Sequence, residues 1–202
     1  MQEQTPSPRE RVLASALELF VERGYFNTSV PDIGVHSKSS VGSIYHHFAN
    51  KEEIARNIYD DGIKRFRTAI AEVIDANEHP KKVFKAIVIA FLYFSEHNKS
   101  LAKYLWLARH NEFLSTKVTK PTVVGFDALG RQLTKVIKRA VKNGDIADLN
   151  AKVLWALIFG LSLSYILDWL DGSANIPPSE MAPIIADASC AALTSVKPKK
   201  CN

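Results

Sequence analysis

The sequence predicts an all-α protein: an N-terminal three-helix, helix-turn-helix head followed by a larger helical bundle, about nine helices in all. Three observations carry this. Apolar residues recur at helical spacing along the chain, and no segment alternates convincingly enough to be a strand. Four helix starts, each with its own capping residue, crowd into residues 7–53. The composition is that of a globular chain able to bury a core: 202 residues, 47% apolar, 23% charged, with nine Gly and nine Pro.

The first helix is read over residues 8–23. Ser7 caps it, Pro8 suits the first helical position, and Glu10 completes a capping box. Leu13, Ala16, Leu17 and Phe20 form its expected buried stripe, and Gly24 supplies the stop. A short second helix begins after Ser29. Asp32 is its box partner, and Pro31 falls in the first turn, where a missing N–H does little harm. A polar turn, Ser37-Lys38-Ser39, leads to a third helix over 41–47 capped by Ser40. Ile44 and Phe48 point inward, onto Ile33, Leu17 and Phe20. Asn50 and Glu53 cap a long fourth helix over 51–76.

The second part is read as helices over 81–96, 100–110, 123–142, 151–170 and 179–196. Breaks fall at Asn98-Lys99, 115–121, Asn143-Gly144 and 172–178. The domains are therefore 1–50, the helix-turn-helix head, and 51–202, a helical body, with helix 51–76 linking the two.

Several function classes fall away. The uncharged run 153–167 is fifteen residues long, whereas a membrane span needs roughly 20; it reads as a buried helix. Cys190 and Cys201 give neither a disulfide framework nor metal-ligand spacing, and MQEQTPSPRE has no apolar leader, so a reducing, cytoplasmic setting is expected. No phosphate-binding loop, nucleophile elbow, dinucleotide fingerprint or zinc-protease motif occurs, so no enzyme and no cofactor is expected. Glu52-Glu53 and Asp60-Asp61 read as solvated face charges. Adjacent His46 and His47 point about 100° apart on a helix and do not chelate one metal. His46 reads instead as a DNA contact and His47 as a packing residue. The net charge of +5 does not itself indicate DNA, since residues 1–50 hold four Lys or Arg against five Asp or Glu.

The motif does indicate it. A short helix, a tight turn and a second short helix, braced by a longer one, set a recognition helix into the major groove. That groove is about 12 Å wide and takes one helix. The face available to DNA is Ser40, Val41, Ser43 and His46 or His47. Gly42, a poor helix former, suggests close approach of a phosphate backbone.

Residues 9–59, through RERVLASALELFVERGYFNTSV and SVGSIYHHFANKEEIARNIY, resemble the TetR family of bacterial repressors. The resemblance rests on Gly24-Tyr25, Thr28-Ser29-Val30, Asp32-Ile33, Gly42, Tyr45-His46-His47-Phe48 and Lys51-Glu52. It implies phosphate contacts from Thr28, Tyr45 and Lys51. It implies that Ser40, Val41, Gly42, Ser43 and His46 face base edges or sugar. Three positions depart from the family pattern. Lys38 stands where Gly is usual and needs a left-handed conformation, at about 1 kcal/mol. Gly34 stands where Ala is usual, softening the second helix. Val41 replaces a frequent Lys, and Lys38 is the basic contact that compensates from the turn.

In the body, LIFGLSLSYILDWLDG is similar to the penultimate helix of such proteins. The resemblance implies an effector pocket, for which the candidates are Phe91, Phe94, Trp106, Phe126, Trp155 and Phe159, with Asp127, Gln132 and Ser162 as polar groups near them. Helix 151–170 is apolar on more than one face. Leu154, Leu157, Ile158, Leu161 and Tyr165 would fill the protomer core. Trp155, Ser162, Leu163 and Ile166 would join Ile184, Ile185, Ala188, Ala191 and Ala192 of the last helix in a homodimer interface. The expected function is a dimeric transcription regulator, a repressor on a palindromic double-stranded DNA operator, released by a small, largely apolar effector. The alternative is a helical protein-interaction adaptor that does not bind DNA.

Overall fold

The computed structural model describes residues 6–76, 79–108, 110–114 and 128–196. Among them every regular element is helical: α1 Pro8–Arg23, α2 Val30–Ser37, α3 Val41–His47, α4 Lys51–Asp75, α5 Pro80–His97, α6 Lys99–Ala102, a π-helical turn Lys103–Leu107, a 3-10 turn His110–Glu112, α7 Ala128–Lys142, α8 Ala151–Asp171 and α9 Pro178–Ser195. Phe126 and Asp127 lie outside the described residues, as do Cys201 and the expected start of α7 at residue 123.

The described residues form two compact units, one of residues 6–63 and 100–114, the other of 64–99 and 128–196. α4 runs through both, so the units divide inside that helix.

In the first unit local chemistry fixes the helix starts. Ser7 Oγ accepts from Glu10 N at 3.3 Å, and Glu10 Oε2 accepts from Ser7 N at 2.8 Å. Ser29 and Asp32 repeat the box on α2, at 3.2 and 2.8 Å. These bonds hold the carboxyl groups of Glu10 and Asp32 below the usual carboxylate range. Ser40 Oγ accepts from Ser43 N, and Asn50 Oδ1 from Glu53 N. Each bond satisfies an amide that the helix itself leaves open. The core is Val12, Ala16, Leu19, Phe20, Ile33, Ile44, Phe48, Ile54 and Ala55.

The buried arc of α1 is rotated from the stripe expected. Val12, Ser15, Ala16, Leu19 and Phe20 are buried, while Leu13 and Leu17 are half-buried. The cause is tertiary. α1 packs on α2 and α3 and also on the π-helical turn, and the second contact pulls its buried arc round.

That turn is a second departure. Residues 100–110, expected as one α-helix, divide into α6, the π turn and the 3-10 turn. A π turn carries one residue more than an α turn and shifts the register of the residues after it. Here Tyr104 and Leu105 are buried side by side, and the Tyr104 hydroxyl donates to Ala55 O at 2.8 Å. Gly62 of α4 admits the approach: a Cβ there would lie 2.7 Å from Leu101 and 3.2 Å from Leu105. His110 closes this core, with ring centroids 4.7 Å from Tyr59, 4.8 Å from Tyr104 and 5.5 Å from Phe113. Burial pushes its imidazole down to about 4.

In the second unit α5 is the central helix, packed chiefly on α9 and also on α8 and α7. Phe66 of α4 lies 5.3 Å from both Phe91 and Phe94; Phe91 lies 5.4 Å from Phe159, and Phe159 4.4 Å from Trp155. Lys85 pairs with Asp187 and Lys81 with Asp145, pinning α5 to its neighbours. Among the described residues α8 alone is long and apolar enough to cross a membrane, but Leu154, Ile158, Phe159, Ser162, Ile166 and Leu170 are buried within the unit.

Candidate nucleic-acid interface

The turn between α2 and α3 is built on two backbone features. Lys38 takes the left-handed conformation expected, φ 54° and ψ 42°. Ser39 N then bonds to Gly34 O at 2.9 Å. Gly34 is not a softening of α2. A Cβ there would stand 2.9 Å from the carbonyl oxygen of Ser39, so the missing side chain lets the turn close on the helix.

The tight turn presents α3 outward. Ile44 is fully buried and Phe48 nearly so, anchoring one face. On the other face Ser40, Val41, Gly42, Tyr45 and His46 are exposed and Ser43 half-buried, and Lys38 is exposed in the turn. Nothing lies within 4 Å of where a Gly42 Cβ would be; the fold itself does not demand glycine there.

Two expected phosphate contacts are placed differently. Thr28 is 1% exposed, and its hydroxyl lies 2.9 Å from Gly24 O and 3.3 Å from Leu19 O. This corrects its assignment as a side-chain phosphate contact: the hydroxyl is turned into the loop after α1. Lys51 Nζ donates to Tyr25 O and Thr28 O, each at 2.8 Å, and sits 4.1 Å from the Tyr25 ring centroid. Loss of hydration holds its ammonium below the usual lysine range. Lys51 therefore first ties α4 to the α1–α2 loop. It also lines, with Tyr45 and residues 26–31, an open groove of about 360 Å³ beside α3. Sequence reasoning missed most of this groove, although GYFNTS marks the loop.

His47, expected to pack inward, is exposed like His46. The two rings stand 5.3 Å apart and tilted. The physical reason is that Phe48, the next residue, takes the inward position and ends the helix in extended backbone, φ −140°.

The body candidates divide. Phe91, Phe94, Trp155 and Phe159 join one aromatic cluster, completed by Phe66, which was not expected. Trp106 belongs to the other unit, on the π turn. Of the interface residues, Ile184, Ala188 and Ala191 are exposed; Trp155, Leu163 and Ala192 are half-buried. Ser162, Ile166 and Ile185 are buried inside the protomer, which corrects their assignment to a dimer surface. The outward apolar face of α8 is instead Val153, Ala156, Gly160 and Leu161.

A capped helix-turn-helix whose second helix stands free in solvent is the frame of a DNA-binding domain. Residues 12–58 match the model of the bacterial regulatory proteins, tetR family. The chain is 23% identical over 165 residues to the fatty acid metabolism regulator protein of Bacillus subtilis, covering 79% of this chain and 82% of that protein. It is 30% identical over 95 residues to the HTH-type transcriptional repressor KstR2 of Mycobacterium tuberculosis, covering 47% of this chain and 48% of that one. The latter match thus spans about half the relative's length. The solved transcriptional regulator FadR of Bacillus subtilis, in complex with stearoyl-CoA, shares the fold with a TM-score of 0.68 at 16% identity, over 93% of this chain and 98% of that chain. The head is thus similar to that of the tetR family of bacterial regulatory proteins, and the fold to that of the solved FadR. The relatives it matches are named as transcriptional regulators or repressors.

Proposed function

We propose that this protein is a cytoplasmic, dimeric repressor that reads a palindromic operator through α3 and leaves it when the body binds a largely apolar effector. The observation that carries this is the solvent-facing row Ser40, Val41, Gly42, Tyr45 and His46 over an anchored Ile44 and Phe48. Short polar side chains there reach base edges, and the Tyr45 hydroxyl reaches phosphate.

The dimer is supported by two exposed apolar strips. Leu161 is 49% and Ile184 64% exposed, flanked by small Gly160, Ala188 and Ala191, which allow helices to approach closely. Two heads on a two-fold axis then read two half-sites. The effector class is drawn from the aromatic cluster around Phe91 and Phe159, and from relatives named for fatty acids and, in one structure, bound to stearoyl-CoA. α4 spans both units and is one covalent route from body to head. An effector releases DNA only if it binds the operator-incompetent form more tightly.

The test is a gel shift of the full chain on a duplex selected in vitro from a random library, with and without stearoyl-CoA. Binding that falls steeply with salt and is relieved by the acyl-CoA supports the proposal. Absence of any bound duplex overturns it. Sedimentation of Leu161→Glu is expected to show monomer where the unaltered chain shows dimer.

A further inference from the structure

Ser95 of α5, Ser162 of α8 and Ser189 of α9 are wholly buried, and the hydroxyl of each is without a hydrogen-bond partner among the described residues. A buried hydroxyl left unpaired is costly, and folded proteins keep few of them. A serine within a helix has a ready acceptor in the carbonyl one turn back, and none of these three takes it.

Two of the three belong together. Ser95 follows Phe91 by one turn of α5, and Ser162 follows Phe159 by one turn of α8, so each serine shares a helix face with its phenylalanine. The two rings meet at 5.4 Å. α9 begins beside the end of α5, where Ser179 N donates to Glu96 at 2.7 Å, and further along α9 Asp187 pairs with Lys85 near the start of α5. α9 therefore runs against α5. After the connection 172–177 it also packs back along α8. α5 and α8 are thus parallel, and both serines are displaced from the ring contact in the same direction, by about 6 and about 4.5 Å. Two unpaired hydroxyls come to one level at the end of the Phe91–Phe159 contact. Ser189 stands apart, since its neighbour Cys190 lies against Lys81 at the other end of α5.

The charge of the surroundings decides what these hydroxyls can hold. Among the described residues the only buried polar side chains of this unit are the three serines, so no buried cation is at hand. A carboxylate brought here would be desolvated without a counter-charge. A carbonyl oxygen has two lone pairs, and two O–H donors satisfy it.

We propose that Ser95 and Ser162 hold the uncharged oxygen function of the effector, the carbonyl of an ester or thioester, so that the body selects a neutral acyl derivative over the free carboxylate. It rests on the reading that the aromatic cluster receives an apolar effector, and it names what that effector carries. Phe91 and Phe159 offer apolar contact to the chain, and the two hydroxyls donate to the oxygen. The serines are then unfavourable in the free protein and favourable in the complex.

The experiment is a tryptophan-fluorescence titration of the full chain with methyl dodecanoate, dodecanoate and dodecane, at about pH 8, where the carboxylate is ionised. Trp155 stands 4.4 Å from Phe159 and reports on the cluster. The methyl ester is expected to bind about tenfold or more tightly than dodecanoate. Ser95→Ala and Ser162→Ala should each weaken the ester several-fold, and about tenfold together, while leaving dodecane unchanged. In the free protein both should raise the melting temperature, because an orphaned hydroxyl is gone, and the same curves establish that the variants fold. Equal losses for ester and alkane overturn the proposal, since packing alone then accounts for the serines. Dodecanoate bound as tightly as its ester overturns it too. The variants are also titrated with stearoyl-CoA. An affinity that they leave unchanged sinks the role of the hydroxyls alone, whereas no binding of stearoyl-CoA or of any of the chains sinks the effector reading with it.

Discussion

The head and the body use different physics to specify themselves. In the head nearly every helix start is written locally: Ser7, Ser29, Ser40 and Asn50 each accept from a backbone amide three residues on. In the body α5 and α8 also start on side-chain caps, His79 and Asn150, but the packing that specifies them is non-local. α5, α8 and α9 are apolar on several sides, and the aromatic chain from Phe66 through Phe91 and Phe159 to Trp155 draws on three helices far apart in sequence. The comparison teaches that caps make a domain readable, while a broad apolar surface fixes only that something will cover it.

The largest way to test this contrast is to open the body's core. Phe159→Ala removes a ring that is 4% exposed and should cost about 3–5 kcal/mol, read as a lowered urea midpoint. A value under about 1 kcal/mol would mean the cluster is loosely packed.

Acid addresses the buried imidazole in the aromatic box of the first unit. His110 is 6% exposed, and burial holds it down to about 4. The unfolded chain takes up its proton near 6.5, before the native state does. Stability is therefore complete above that pH and erodes as pH falls toward 4, by about 3 kcal/mol in all. His110→Leu should lose that component of the acid dependence in denaturant titrations.

Smaller effects probe the local signals. Ser29→Ala should cost about 1 kcal/mol by leaving the first turn of α2 uncapped. Lys38→Gly should stabilise the head by about 1 kcal/mol, because glycine adopts φ 54° without strain. The same change should weaken DNA binding if the Lys38 ammonium contacts phosphate, and a salt slope reduced by about 0.9 would report the lost contact.

Legibility in the sequence tracked how local each constraint is. The capping boxes, the left-handed Lys38 and the inward Ile44 and Phe48 were readable, because each is decided within four residues of chain. The role of Gly34 was not, since its constraint is the carbonyl of Ser39 folded back over it. Nor was the inward turn of the Thr28 hydroxyl or the grip of Lys51 on that same loop, which joins residues more than twenty positions apart. Ser162 and Ile166 were assigned to the wrong face of α8 because a helix apolar all round offers no periodic cue to its orientation.

By itself the sequence determined the helix-turn-helix, its capped starts and the face of α3 left in solvent, because hydrogen bonds across one turn and the 3.6-residue period are properties of local chain. Tertiary structure alone decided which arc of α1 is buried and which side of α8 stays outward. It also seated the segment after α5 in the head's compact unit. Those outcomes depend on which partner covers an apolar surface, and the hydrophobic effect that drives the covering has no direction of its own.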